Sequence, residues 1–270
     1  MFSKLLKYEF KSCGKVLFPA FGLGVLGSLI LHFFAYMLEL VFPQSPRITD
    51  PIFSMIVGLY AVFMAVLGIG YVVARFFRTM VGREAYLTLT LPVDNSMHLW
   101  AKLISGYVFS VLGILTAIAT MYAFEFERGP HIPVDGNILS ILWAVVVFVA
   151  AMLIYMLAEF YFCCAVGSRF KNRIAGSVGT YFIAHNAVGV IGILTVIVAG
   201  ITMGKGESQW ARDLLDIANR MDTLSEFEIL AELKEFMWTV ILLVIVFFMI
   251  FAVIETLVTR YIVTKKVNLE

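Results

Sequence analysis

The 270-residue chain is 61% apolar and 14% charged, and its 20 glycines bring the apolar share to about two thirds, against roughly 45–50% for a soluble domain. That excess cannot be hidden in one globular core of this length, so a soluble enzyme is excluded, as is a disordered chain, which needs low hydrophobicity and high charge. The net charge of +1 says little by itself; the placement of the charges along the chain says more.

A bilayer core about 30 Å thick needs about 20 apolar helical residues to cross it. Six stretches qualify: Val16–Phe42, Ile52–Ala74, Leu103–Phe124, Ile138–Gly167, Gly176–Met203 and Trp238–Val263. The expected fold is an all-α integral membrane protein with six transmembrane helices, residues 1–270 forming one transmembrane domain. Ahead of the first span, residues 1–15 read as an amphipathic helix, with Phe2, Leu5, Leu6 and Phe10 on one side and Lys4, Lys7, Lys11 and Lys15 on the other. Such a helix is expected to lie flat in the cytoplasmic interface. The run that follows is too long for a cleavable signal peptide.

Flanking charge sets the orientation. Fourteen Lys and Arg residues fall in the N-terminus, the second and fourth connections and the C-terminus, and six fall in the other connections. By the positive-inside rule both termini are expected in the cytoplasm.

Within the first span, Gly22, Gly24 and Gly27 match the spacing of a dinucleotide-binding loop. No strand precedes them, so close approach of another helix to Gly22, Gly24, Gly27 and Ser28 is the better reading. In the connection after span two, Tyr86–Leu91 alternates like a strand, although an isolated strand at a membrane face has no partner. Pro92 breaks what precedes it, and Asp94, Asn95 and Ser96 supply cap candidates for the helix leading into span three.

Ionisable residues inside spans call for an explanation, because they are costly in lipid. His32 and Glu39 lie in the first span, Glu159 in the fourth, adjacent His185 and Asn186 in the fifth, and Glu255 in the sixth. Two readings stand side by side: a substrate path, or interhelical hydrogen bonding with Glu159 and Glu255 paired to bases at the cytoplasmic edge. Cys13, Cys163 and Cys164 have neither disulfide nor metal-knuckle spacing.

Between spans five and six, residues 204–237 hold eight acidic and four basic residues. Trp210, Leu214, Ile217, Ala218 and Met221 recur at helical spacing, and Ser225 with Glu228 resembles a capping box opening a second helix through Phe227, Leu230, Leu233 and Phe236. An extracellular acidic helical hairpin is expected there. The chain holds no Walker A loop, no H-E-x-x-H, no G-x-S-x-G and no basic–aromatic patch for nucleic acid, so catalysis by this chain and binding of metal or nucleic acid are not expected.

The stretch from Gly82 through Arg83, Glu84, Ala85, Tyr86 and Leu87 to Leu91, Pro92 and Val93, followed by Lys102, resembles the ABC-2 type permease family, the membrane subunits of ATP-driven exporters. The opening Leu5-Leu6-Lys7-Tyr8-Glu9-Phe10-Lys11 is similar to permeases of this type in Gram-positive bacteria. The resemblance implies a plasma-membrane permease without a cofactor of its own, with ATP and Mg bound by cytoplasmic ATPase subunits. A second permease, identical or related, would complete the path. Residues 76–93 would form a coupling segment, with Arg83 and Glu84 at the ATPase contact, Tyr86, Leu87 and Leu91 packed into its cleft and Pro92 closing the motif. Residues 1–15 would brace the same subunit, and Arg169–Arg173 would be a lesser contact. Tyr60, Met64, His185 and Asn186 would lie near the substrate, an amphipathic peptide or drug. The alternatives are a structural or sensory subunit binding a partner through the outer hairpin, and an ion-coupled secondary transporter.

Overall fold

The computed structural model describes residues 2–41, 46–82, 84–85, 94–125, 136–204 and 226–265, with backbone alone at 46–50, 125, 136–138, 199–204, 226–237 and 265. Every regular element among them is helical: α1 (Phe2–Val41), α2 (Pro46–Phe76) continued by a π turn (Phe77–Val81), α3 (Asn95–Glu125), α4 (Gly136–Gly167), α5 (Arg173–Gly204) and α6 (Glu226–Lys265). Each of the six α-helices contains a segment long and apolar enough to cross a membrane. The chain is a multi-pass membrane protein, with six helices of membrane-crossing length among the described residues, as its hydropathy predicts.

Helix lengths depart from the expectation at two places. Residues 2–15 are not a separate element; they open α1, which runs 40 residues with Pro19 inside it. At 1.5 Å per residue that is about 60 Å, twice the thickness of a bilayer core. Residues 226–237, expected to form the hairpin's second arm, continue into α6 without a break. The hairpin's first arm, around Trp210–Met221, lies outside the described residues, as does the alternating stretch Tyr86–Leu91.

Local sequence explains the helix starts. Asp94 caps α3: its side chain accepts from the Ser96 amide at 3.1 Å and its carbonyl from Met97 at 2.8 Å. Asn172 does the same for α5, its side-chain oxygen accepting from the Ala175 amide at 3.2 Å. Both satisfy donors that a helix N-terminus otherwise leaves unpaired.

The helices gather in two compact units. One comprises residues 1–131 with the end of α6 from Thr259 onward; the other comprises residues 132–258. In the first, α1, α2 and α3 pack on one another. Gly68 and Gly113 let α2 and α3 meet backbone to backbone, since a Cβ on Gly68 would lie 3.3 Å from the Gly113 Cα and the Phe109 carbonyl oxygen. Near the far end of this bundle, Ala35, Val57 and Phe124 form an apolar cluster with Leu31 and Phe53. The second unit packs α4, α5 and α6 around Tyr155, Ala158, Val188 and Ala252, flanked by Met152, Phe247, Phe248 and Phe251. The Trp238 indole N–H donates to Ser140 Oγ at 3.0 Å, tying α6 to α4.

Candidate functional site

The feature that stands out in the first unit is ionic. Glu9 of α1 accepts two hydrogen bonds from Arg75 near the end of α2, from Nε at 3.1 Å and Nη2 at 3.0 Å. Its other oxygen accepts from Lys102 Nζ, in the second turn of α3, at 2.6 Å. The side chains of Glu9, Arg75 and Lys102 are 11%, 18% and 4% exposed. One carboxylate thus joins three helices at the end of the bundle where α1 begins, α2 ends and α3 begins. The fork of the Arg75 guanidinium suits two bonds to one carboxylate oxygen region, and the compact Lys102 ammonium takes the other oxygen. Around the cluster, Cys13 and Leu17 of α1 and His98 and Leu99 of α3 are buried.

This cluster brackets the connection that carries the permease-like motif. Beyond Arg75 the helix widens into the π turn, closed by the Gly82 amide donating to the Phe77 carbonyl at 2.7 Å. Thr79, Met80 and Val81 are buried there, and Thr79 Oγ1 donates to the Arg75 carbonyl at 2.8 Å. Glu84 faces Arg78 at 2.9 Å, with both side chains largely open to solvent. Arg83, Tyr86, Leu87, Leu91 and Pro92, the other residues expected at an ATPase contact, lie outside the described residues.

The four residues expected along a substrate path sort differently. Met64 is buried on α2, and a Cβ on Gly24 of α1 would come within 2.8 Å of its sulfur. Tyr60, one turn away, stands over Gly27, whose Cβ would lie 2.6 Å from the phenol oxygen. Both side chains therefore fill the α1–α2 contact, which is what the small residues of α1 were expected to permit; Gly22, on another side of α1, faces open space. His185 and Asn186 are exposed on α5. The Asn186 amide donates to the Phe182 carbonyl of its own helix at 2.6 Å.

His185 has a partner across the second unit. Its Nδ1 donates to Glu159 Oε1 at 3.2 Å, with the Glu159 side chain 2% and the His185 side chain 58% exposed. The imidazole also stacks on Tyr181 (centroids 5.4 Å apart), which stacks on Phe160 (5.2 Å). Glu159 is thus joined to a mid-span histidine rather than to a base at the membrane edge. Glu255 is buried in α6.

Elsewhere a further membrane-embedded histidine makes an interhelical hydrogen bond. His32 Nδ1 donates to the Phe124 carbonyl at 2.8 Å, tying α1 to the end of α3. Cys13, Cys163 and Cys164 are free and buried. Among the described residues no group of three His, Cys, Asp or Glu side chains is arranged to hold a metal ion.

Sequence reasoning passed over Glu9 as a site residue, although it stands inside the quoted Leu5–Lys11 segment. The available signal was a single acid at the centre of a lysine-rich helix, on the side away from the lysines. No protein-family model, curated protein or solved structure matches the chain.

Proposed function

We propose that this chain is the permease subunit of an ATP-driven exporter of the ABC-2 type. It would form half of a translocation path, be completed by a second permease chain, and be driven through residues 76–93 by a separate cytoplasmic ATPase that binds ATP and Mg. The observation that carries the reading is the cluster of Glu9, Arg75 and Lys102. An exporter of this kind must turn movement at its cytoplasmic face into rearrangement of several spans. Here one carboxylate ties α1 to the two helices that flank the connecting segment, so a displacement delivered to that segment reaches three helices together. The excess of Lys and Arg on this side supports a cytoplasmic placement for it, in a bacterial plasma membrane. An amphipathic peptide or drug is the substrate class the family resemblance suggests.

The test is to express the tagged chain with its neighbouring genes, purify it in mild detergent and identify what co-elutes. The expected result is an ATPase carrying a Walker A loop, lost when Arg83–Leu91 is altered. Recovery of the chain alone, still moving solute in liposomes without ATP, refutes the reading. It would favour ion-coupled transport, for which the Glu159–His185 pair is the natural starting point.

A further inference from the structure

The face of α1 opposite Glu9 has no role in the cluster, yet it carries four lysines. Lys4, Lys7, Lys11 and Lys15 are all exposed. At about 100° per residue they fall within about 80° of arc, centred opposite the side that carries Glu9 and Cys13. Their spacing of three, four and four residues makes a stripe about 16 Å long. Tyr8, 70% exposed, borders it. The hydrophobic span begins at Val16, directly after the last lysine, so the stripe starts at the edge of the hydrocarbon core and runs outward from it.

The orientation of the stripe is fixed from behind. Glu9 is held by Arg75 and Lys102, and Cys13 and Leu17, one and two turns further on, are buried. α1 therefore cannot roll about its axis without breaking the ion cluster, and its lysines are kept turned away from the bundle.

We propose that this lysine face of α1 binds the headgroups of anionic phospholipids in the membrane leaflet from which α1 emerges. Clusters of four or more basic residues beside a transmembrane span attract anionic lipid, each residue contributing up to about five-fold in affinity. Four flexible ammonium groups spread over about 16 Å can each reach toward mobile phosphates, whereas one fixed acidic pocket would engage few of them. The inference rests on the proposed function only in taking the start of α1 to be the cytoplasmic end, where the anionic leaflet lies. It narrows the membrane-lipid partner expected from the sequence to anionic headgroups and to one face of α1.

The experiment incubates the full chain, purified in nonionic detergent, with micelles holding equal amounts of phosphatidylglycerol and phosphatidylcholine, then measures the lipid retained per chain. The wild type is expected to retain phosphatidylglycerol in about ten-fold excess. The variant K4Q/K7Q/K11Q/K15Q should fall to a ratio near one, while K4R/K7R/K11R/K15R keeps the excess. Raising salt from about 0.15 M to about 1 M shortens the Debye length from about 8 Å to about 3 Å, so the wild-type excess should also collapse; this reading needs no variant to fold. Equal retention of both lipids by the wild type, or an undiminished excess in the glutamine variant, overturns the proposal. So does loss of only a co-purifying ATPase from that variant, which would assign the stripe to a protein. Neither an ATPase nor transport is needed for the lipid measurement, so its failure and that of the exporter reading are separately visible.

Discussion

Replacing Glu9 with glutamine keeps the shape of the side chain and removes the one charge that Arg75 and Lys102 share. Three charge-assisted hydrogen bonds between 2.6 and 3.1 Å are weakened or lost. Such bonds contribute about 1.5–3 kcal/mol each, but most of that is offset by the cost of taking the ions out of water. The expected net loss is the penalty for stripping one partner from a buried ionic group, about 3–5 kcal/mol. Lys102, 4% exposed, sets the upper part of that range; Arg75, at 18%, can regain some hydration. The assay is unfolding in mixed micelles on titration with SDS, followed by circular dichroism. A second substitution separates charge from packing: Lys102→Met, of similar volume, added to Glu9→Gln should restore at least about 1.5 kcal/mol, because a buried cation is then no longer stranded. A Glu9→Gln protein within about 0.5 kcal/mol of wild type would refute the reasoning and reduce the cluster to a surface contact.

Three further outcomes are expected. Gly68→Ala should destabilise the first unit by about 1–3 kcal/mol, because the added methyl group meets the backbone of α3 at 3.3 Å and a packed crossing resists overfilling. Gly22→Ala, facing open space, should stay within about 0.5 kcal/mol in the same titration. Glu84→Lys should change stability by less than about 1 kcal/mol, since its pair with Arg78 is exposed, while, under the proposed function, abolishing stimulation of the proposed ATPase by substrate; unchanged coupling removes that role from Glu84. Replacing His185 and Asn186 together with alanine should shift the range of solutes exported if they face the path, whereas lowered stability with an unchanged range would leave His185 as the structural partner of Glu159.

Much of the architecture was legible because hydropathy is a local property. A span announces itself within about 20 residues, and a cap within four, as Asp94 does for α3. What the sequence does not print is which helix faces meet. Glu9 finds its partners 66 and 93 residues away, and periodicity describes a helix's own faces without naming what lies across from them. Arg75 and Lys102 show the consequence: both counted toward orientation as ordinary flanking charges, yet each is committed to the same carboxylate. Tyr60 and Met64 illustrate the reverse. Their positions on an apolar span suit a path or a contact equally, and nothing in the span itself says that glycines of α1 stand opposite them. Segment boundaries are hard to read for a related reason. Nothing in residues 2–15 or 226–237 forces a break before the neighbouring span, so each continues into one 40-residue helix.

The π turn at Phe77–Val81 gives the connection beyond it an uncommon mechanical character. A π turn holds one residue more than the α-helical turn that could take its place. Exchanging the two forms would move the Gly82 amide from the Phe77 carbonyl to that of Arg78, with no hydrogen bond given up. Everything downstream would advance by one register, about 1.5 Å along the axis and about 100° around it. A joint of this kind would have settings counted in residues, like the teeth of a ratchet, because the π and α forms of the turn differ by one whole residue.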